Sequence, residues 1–342
     1  MVRLELARRF NDEQHTVCEL QRPTDPYVAD PPRSSPFGYT RSAGGRPDRM
    51  PETPTEAADR STVSIASPWL FFLVTFAITW SCWLAVLALG VPFESPAGLV
   101  LLLAGLTGPG IAGIGFVYLV YDERGRRDFW ARLKGVRRIG GRWVLVVLVL
   151  PPAVVLAGAA VDLLFGGSGA TWGEWIPEFP GDPLVILPAI FFATLPPLLE
   201  ELGWRGYALD RLQLHWSALN AGVILGVVWS VWHLPLFFIE GTYQHDTVGF
   251  GTLEFWLFVI GIVPLSVAFT WVYNHTARSI LVIILFHGMV NFTGEAIEIT
   301  RRAEVVFVCL WIAFAILLVA IWGPKTLTGD DTVPGPPLPE DR

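Results

Sequence analysis

The sequence predicts an all-α fold: a polytopic transmembrane helical bundle of about eight helices that encloses a polar cavity within the membrane. Three observations predict it. Hydrophobic residues make up 52% of the 342 residues and charged residues only 16%, the composition of a membrane chain. The apolar residues arrive in runs of roughly twenty, without the stripe of a surface helix or the alternation of a half-buried strand. Three of those runs carry Glu, Arg, His and Asn, side chains that lipid accepts only with partners or water.

Residues 1–66 are rich in Arg, Pro, Asp, Glu, Ser and Thr and hold no apolar run, so they cannot bury enough surface to offset the entropy of ordering. A disordered cytoplasmic N-terminal tail is expected there. Early Arg3, Arg8 and Arg9 are followed by no apolar h-region, which argues against a signal peptide. The membrane domain spans 67–324, and a disordered tail is expected over 325–342. Within the domain the apolar runs lie near 68–90, 97–121, 142–165, 183–209, 218–239, 253–273, 279–294 and 303–323. As helices these reach, or nearly reach, across about 30 Å of hydrocarbon, and helix is the form that satisfies backbone groups inside lipid. Pro151-Pro152 and Pro196-Pro197 should kink two of them, a defect that neighbouring helices can repair. Gly105, Gly108, Gly110, Gly113 and Gly115 crowd the second span, which suits close approach of another helix.

The formal net charge of −7 decides little in such a chain, because the placement of Lys and Arg sets the topology. The tail before the first span carries nine Arg and the 122–142 segment eight basic residues, whereas 91–96, 166–182 and 240–252 carry none. Both termini are therefore expected in the cytoplasm of a multi-pass cell-membrane protein, with the lipid bilayer as its surroundings and no nucleic acid as a partner. Arg301 and Arg302 are the contrary pair. Asp162 and Glu254 mark outer span ends, and His215, His245 and His275 fall in solvated loops by this reading. Cys18, Cys82 and Cys309 lie far apart without a CxxC or metal-ligand spacing, so small apolar packing is their expected role.

The chemistry concentrates in three spans. The fourth ends in Leu-Leu-Glu200-Glu201-Leu-Gly-Trp-Arg205-Gly-Tyr, the fifth holds Trp229-Ser-Val-Trp-His233-Leu-Pro, and the seventh His287-Gly-Met-Val-Asn291. Glu201 and Arg205 are four apart and can pair on one helix face, which leaves Glu200, one position round, for another task. His287 and Asn291 share a stripe in the same way. Trp229 lies one turn before His233 and can wall the cavity. A carboxylate beside imidazoles is what water activation needs, with a neutral donor for the oxyanion. No nucleophile elbow and no HExxH helix are present, so water attack is favoured over a covalent route.

These motifs, in this order, resemble the CPBP family of intramembrane proteases, which includes the CAAX prenyl proteases of the Rce1 type and the bacteriocin-processing or immunity (Abi) proteins. The pattern E-E-x-x-x-R, F-x-x-x-H, H-x-x-x-[ND] is met by Glu200, Glu201 and Arg205, then His233, then His287 and Asn291, over about residues 183–295. One position departs: Trp229 stands where the pattern has Phe, and as an aromatic wall it is expected to leave the chemistry unchanged. The resemblance implies an endopeptidase acting on a membrane-associated peptide or protein. It further implies that Glu200 activates water with His233, and that His287 and Asn291 stabilise the oxyanion or bind a metal, with Glu201 and Arg205 in support. Glu200, His233 and His287 could hold a divalent metal such as Zn²⁺ with one position open, or they could work without a metal. Two other classes fit parts of the pattern: a proton-coupled transporter, for which intramembrane Glu, Arg and His are equally natural, and a non-catalytic immunity or scaffold protein. The ionisable residues collect on three helices rather than along a proton line, which weighs against transport.

Overall fold

A computed structural model of the protein describes residues 65–136, 139–333 and 335–337. The expected N-terminal tail therefore lies outside the described residues up to position 64. The expected spans are all present as helices. The first is α1 (Pro68–Leu89), and the second is broken into α2 (Pro96–Leu106) and α3 (Gly108–Val120). The basic loop folds as a further helix, α4 (Glu123–Lys134), which its run of charges had concealed. Next comes α5 (Gly141–Leu164). The fourth span is continuous through α6 (Leu187–Gly203), a π-helical turn (Trp204–Ala208) and α7 (Leu209–Gln213). It is followed by α8 (Ala218–Trp232), α9 (Leu253–His275), α10 (Ile280–Ala296) and α11 (Arg301–Trp322). Among the described residues seven spans are long and apolar enough to cross a membrane. The eighth, α10, has 17 residues and reaches about 25 Å at 1.5 Å per residue.

The helix starts follow from local sequence. Ser67, Ser95, Ser217, Thr252, Ser279 and Thr300 each accept a backbone N–H of the first turn through the side-chain oxygen. In this way the free donors of six helix ends are satisfied. Pro68 and Pro96 open their helices at positions where no N–H is needed.

The glycines of the second span do what their size allows. A Cβ at Gly110 would stand 2.6 Å from the Leu199 carbonyl oxygen, and one at Gly113 2.6 Å from the Gly203 Cα, so α3 and α6 touch backbone to backbone beside Glu200 and Glu201. Gly115 faces open space and takes no part in this approach.

Both ends of the bundle carry ion pairs, buried at one end and partly exposed at the other. At the basic end Asp210, on α7, accepts from Arg278 Nε at 3.0 Å and from Tyr273 Oη at 2.9 Å, and it pairs with Arg132 of α4 at 3.2 Å. Arg132 also donates to the Gly206 carbonyl at 3.1 Å. Arg278 has φ 61, a left-handed conformation that a non-glycine residue keeps only when its surroundings hold it there. Its ion pairs with Asp210 and Asp128 do so. At the opposite end the contrary arginines are neutralised: Arg301 pairs with Glu254 and Arg302 with Asp162. Asp162 in addition accepts from Gly169 N and Thr300 Oγ1, both at 2.9 Å. Beside it β1 (Ala170–Trp172) and β2 (Ile297–Ile299) form a short antiparallel ladder between the loops that follow α5 and α10.

The chain after α11 differs from the expected disordered tail as far as it is described. The carbonyls of Pro324 and Lys325 accept the free N–H groups of Leu219 and Ala218 at 3.1 and 2.9 Å. Asn274 donates to the Thr326 carbonyl, Leu327 is fully buried, and Arg278 reaches the Gly335 carbonyl. Polar composition suggested a loose tail, but these carbonyls complete the N-terminus of α8, whose donors need partners.

Replacing Asp210 by Ala leaves two buried guanidiniums without their shared carboxylate and should lower stability by about 3–5 kcal/mol. The corresponding change at Glu254, whose partner Arg301 is exposed, should cost less than about 1 kcal/mol. Unfolding midpoints of the two variants in detergent make the comparison.

Candidate active site

Pro196 and Pro197 lie one turn before Glu200 and carry no N–H, so the carbonyls of Phe192 and Ala193 lose their helical donors. Helix α10 packs against both of them. Asn291 Nδ2 donates to the Phe192 carbonyl at 2.9 Å. Gly288 lies so close to the Ala193 carbonyl oxygen that a Cβ there would collide with it. The proline pair thus fixes where α10 docks, and His287 sits next to the contact.

Beyond Glu200 and Glu201 the helix widens into the π-turn. Turns of this kind re-aim side chains and recur at functional sites. Arg205 lies within it, and its Nη1 donates to both oxygens of Glu201, at 2.9 and 3.0 Å. Its Nη2 donates to Ser266 Oγ of α9 at 3.2 Å. The guanidinium rests over two ring faces, Trp229 at 4.9 Å and Phe269 at 4.6 Å from the centroids. Glu201 and Arg205 are both 0% exposed. Glu201 Oε1 also meets His287 Nδ1 at 2.9 Å, so one carboxylate serves a guanidinium and an imidazole.

Glu200, 4% exposed, points elsewhere. Its Oε2 accepts the indole N–H of Trp229 at 2.7 Å. The backbone carbonyl of Trp229 in turn faces His233 Nδ1 at 2.8 Å. Because a carbonyl only accepts, His233 carries its proton on Nδ1 and keeps Nε2 free. The carboxylate of Glu201 acts in the same way on His287 Nδ1. The His287 ring meets the Trp229 ring edge to face, with centroids 5.2 Å apart.

Glu200, Glu201, Arg205, His233 and His287 are thus drawn together around Trp229, and Asn291 lies one turn beyond His287. The depths agree. Glu200 lies 13 residues before Gln213 and His233 lies 15 after Ala218, about 20 and 22 Å from the same end of the bundle at 1.5 Å per residue. That match requires the fourth span to run past Leu212, which the π-turn and α7 allow.

The possible metal set is a separate matter. Among the described residues no three His, Cys, Asp or Glu side chains form a group that could hold a metal ion, and Oε2 of Glu200 is occupied by the indole. The described residues as arranged do not fit a three-ligand site.

Three features escaped the sequence reading. Ser266 lies in an apolar run whose register with the fourth span cannot be read from spacing. Trp229 is a hydrogen-bond donor to Glu200 as well as a wall. His275, expected in solvent, ends α9 with its ring against Trp143, Trp271 and Trp322; the cluster of tryptophans at those span ends was the available signal.

Gly288→Val should push α10 away from the Ala193 carbonyl. Strain of this kind costs about 1–3 kcal/mol, and because His287 is the next residue, catalytic turnover should fall further than the unfolding midpoint alone would predict. Parallel turnover and unfolding measurements separate the two effects.

Residues 182–293, which hold every one of these side chains, match the family model for type II CAAX prenyl endopeptidases, Rce1-like. The chain is also 31% identical over 259 residues to CAAX prenyl protease 2 of Methanococcus maripaludis, an alignment that covers 74% of this chain and 93% of that one. With a relative so similar over nearly its whole length, and with the motif-bearing helices inside the matched region, the chain belongs to the Rce1-like CAAX prenyl endopeptidase family.

Proposed function

We propose that this multi-pass membrane protein cleaves a peptide bond of a membrane-associated substrate with water activated by Glu200 and His233. The observation that supports it best is the division of labour between two adjacent carboxylates. Glu201 is occupied by Arg205 and His287, while Glu200 is paired with no cation among the described residues and accepts the neutral indole N–H of Trp229 at 2.7 Å.

In this mechanism Glu200 removes a proton from water as the water oxygen attacks the scissile carbonyl carbon. The Nε2 lone pair of His233 accepts the second O–H and aims the water. The carbonyl oxygen becomes an oxyanion, which receives the remaining N–H of Asn291 and, when its ring is protonated, the Nε2–H of His287. The proton held by Glu200 then passes to the leaving nitrogen as the C–N bond breaks. Glu200 returns to the carboxylate, so the protons balance. The ion pair of Glu201 with Arg205 holds His287 in place throughout.

A C-terminal CAAX-type peptide is the proposed substrate class, because the relative's name carries it. The basic end of the bundle is proposed to face the cytoplasm by the distribution of Lys and Arg; pairing of Arg301 and Arg302 with acidic side chains removes the one contrary signal.

Reconstituted protein given a membrane-anchored fluorogenic peptide tests the reading. Glu200→Gln and His233→Ala should each lower kcat/KM by about 10²–10⁴-fold, and Asn291→Ala by about 10²–10³-fold. Cleavage that survives both of the first two changes would sink the proposal. Chelation is expected to leave activity intact. Loss on chelation with recovery on Zn²⁺ addition would assign Glu200, His233 and His287 to a metal instead.

A further inference from the structure

Trp229 touches both halves of the site. Its edge and its face are used differently. The indole N–H, at the ring edge, donates to Glu200 Oε2 at 2.7 Å. The ring face carries the Arg205 guanidinium at 4.9 Å, a cation–π contact made in a dry setting, where such contacts are strongest. The backbone carbonyl of the same residue holds His233 Nδ1 at 2.8 Å. The residue is 3% exposed, so water does not compete for the N–H.

Glu200 and Glu201 are neighbours in sequence and share a single buried guanidinium close by. An Arg205 free to swing could bridge both carboxylates and engage the base. The rings of Trp229 and Phe269 hold the cation at 4.9 and 4.6 Å, and its Nη1 is committed to both oxygens of Glu201. Meanwhile the indole N–H fixes Oε2 of Glu200. A phenylalanine, the residue of the motif pattern at this position, would keep the ring face and the backbone carbonyl but would supply no donor.

We propose that Trp229 is a positioning residue: its indole N–H orients the Glu200 carboxylate toward the reacting water, and its ring keeps Arg205 on Glu201. The role rests on the assignment of Glu200 as the water-activating base. It overturns the expectation that Trp and Phe are equivalent here.

The test uses the full-length protein in liposomes. Trp229→Phe removes the donor and retains a ring. Loss of a hydrogen bond to a charged group should lower kcat by roughly 10-fold to 100-fold, with KM within about twofold because the substrate is not touched. Replacement of Trp229 by 3-benzothienylalanine, which keeps the shape of indole and puts sulfur in place of N–H, should give the same loss and controls for a folding defect in the phenylalanine variant. Independently of activity, the ¹⁵N–¹H signal of the Trp229 indole, assigned by its absence from Trp229→Phe, should shift when Glu200 is replaced by Gln.

Wild-type kcat in both donor-free variants would overturn the proposal. So would an indole signal that ignores Glu200→Gln, or equal losses in kcat and folding that the benzothienyl analogue does not share. If Glu200→Gln itself leaves cleavage intact, the base assignment fails and the role of Trp229 falls with it. That result is told apart by the variant in which it arises.

Discussion

The Glu201–Arg205 pair sits inside a helical bundle with both side chains sealed from solvent. Either charge alone would cost about 2.5–3.5 kcal/mol or more in the membrane, so the surrounding elements are arranged to keep them together. The spacing of four residues brings them to one face, the π-turn sets the reach of Arg205, and Ser266 and His287 add a further partner to each. Three spans, α6, α9 and α10, are tied at this one point. Because a carboxylate already spent on a guanidinium is a poor base, the pair supports the proposal that Glu200 is the base.

Backbone chemistry supplies the second requirement. In lipid a carbonyl stripped of its helical donor has no water to turn to, and Pro196 and Pro197 strip two of them. Asn291 donates to one of them from α10, and Gly288 lets the α10 backbone come close to the other. On the other side of α6 the glycines of α3 admit the Leu199 and Leu202 backbone. The helix that carries the carboxylates is thus held from two sides by main-chain contacts, which leave little freedom for the side chains to drift.

The ends of the bundle solve the same problem of buried charge with different partners. Arg132, Asp210, Arg278 and Tyr273 join α4, α7, α9 and the turn before α10. Arg132 also reaches the Gly206 carbonyl in the π-turn, so the network at the basic end bears on the geometry of Arg205. At the other end Asp162 and Glu254 hold the two loops bridged by β1 and β2. A bundle pinned at both ends can keep a polar centre in register.

The sequence by itself determined the apolar spans and singled out the candidate residues. Runs of apolar residues near the thickness of hydrocarbon mark spans with little ambiguity, because lipid leaves the backbone few other forms. Intramembrane Glu, Arg and His are rare enough that Glu200, Glu201, Arg205, His233, His287 and Asn291 stand out without any coordinates. The spacing of four within a helix predicted the Glu201–Arg205 pair correctly. What spacing cannot convey is the rotation and depth of one helix against another. Only the tertiary structure decided that Trp229 turns its N–H to Glu200, that Ser266 meets Arg205, that Asn291 serves a carbonyl freed by Pro196, and that Arg132, Asp210 and Arg278 converge from positions far apart in the chain. Each of these depends on which faces meet when the helices pack, and that choice is made by all the contacts together.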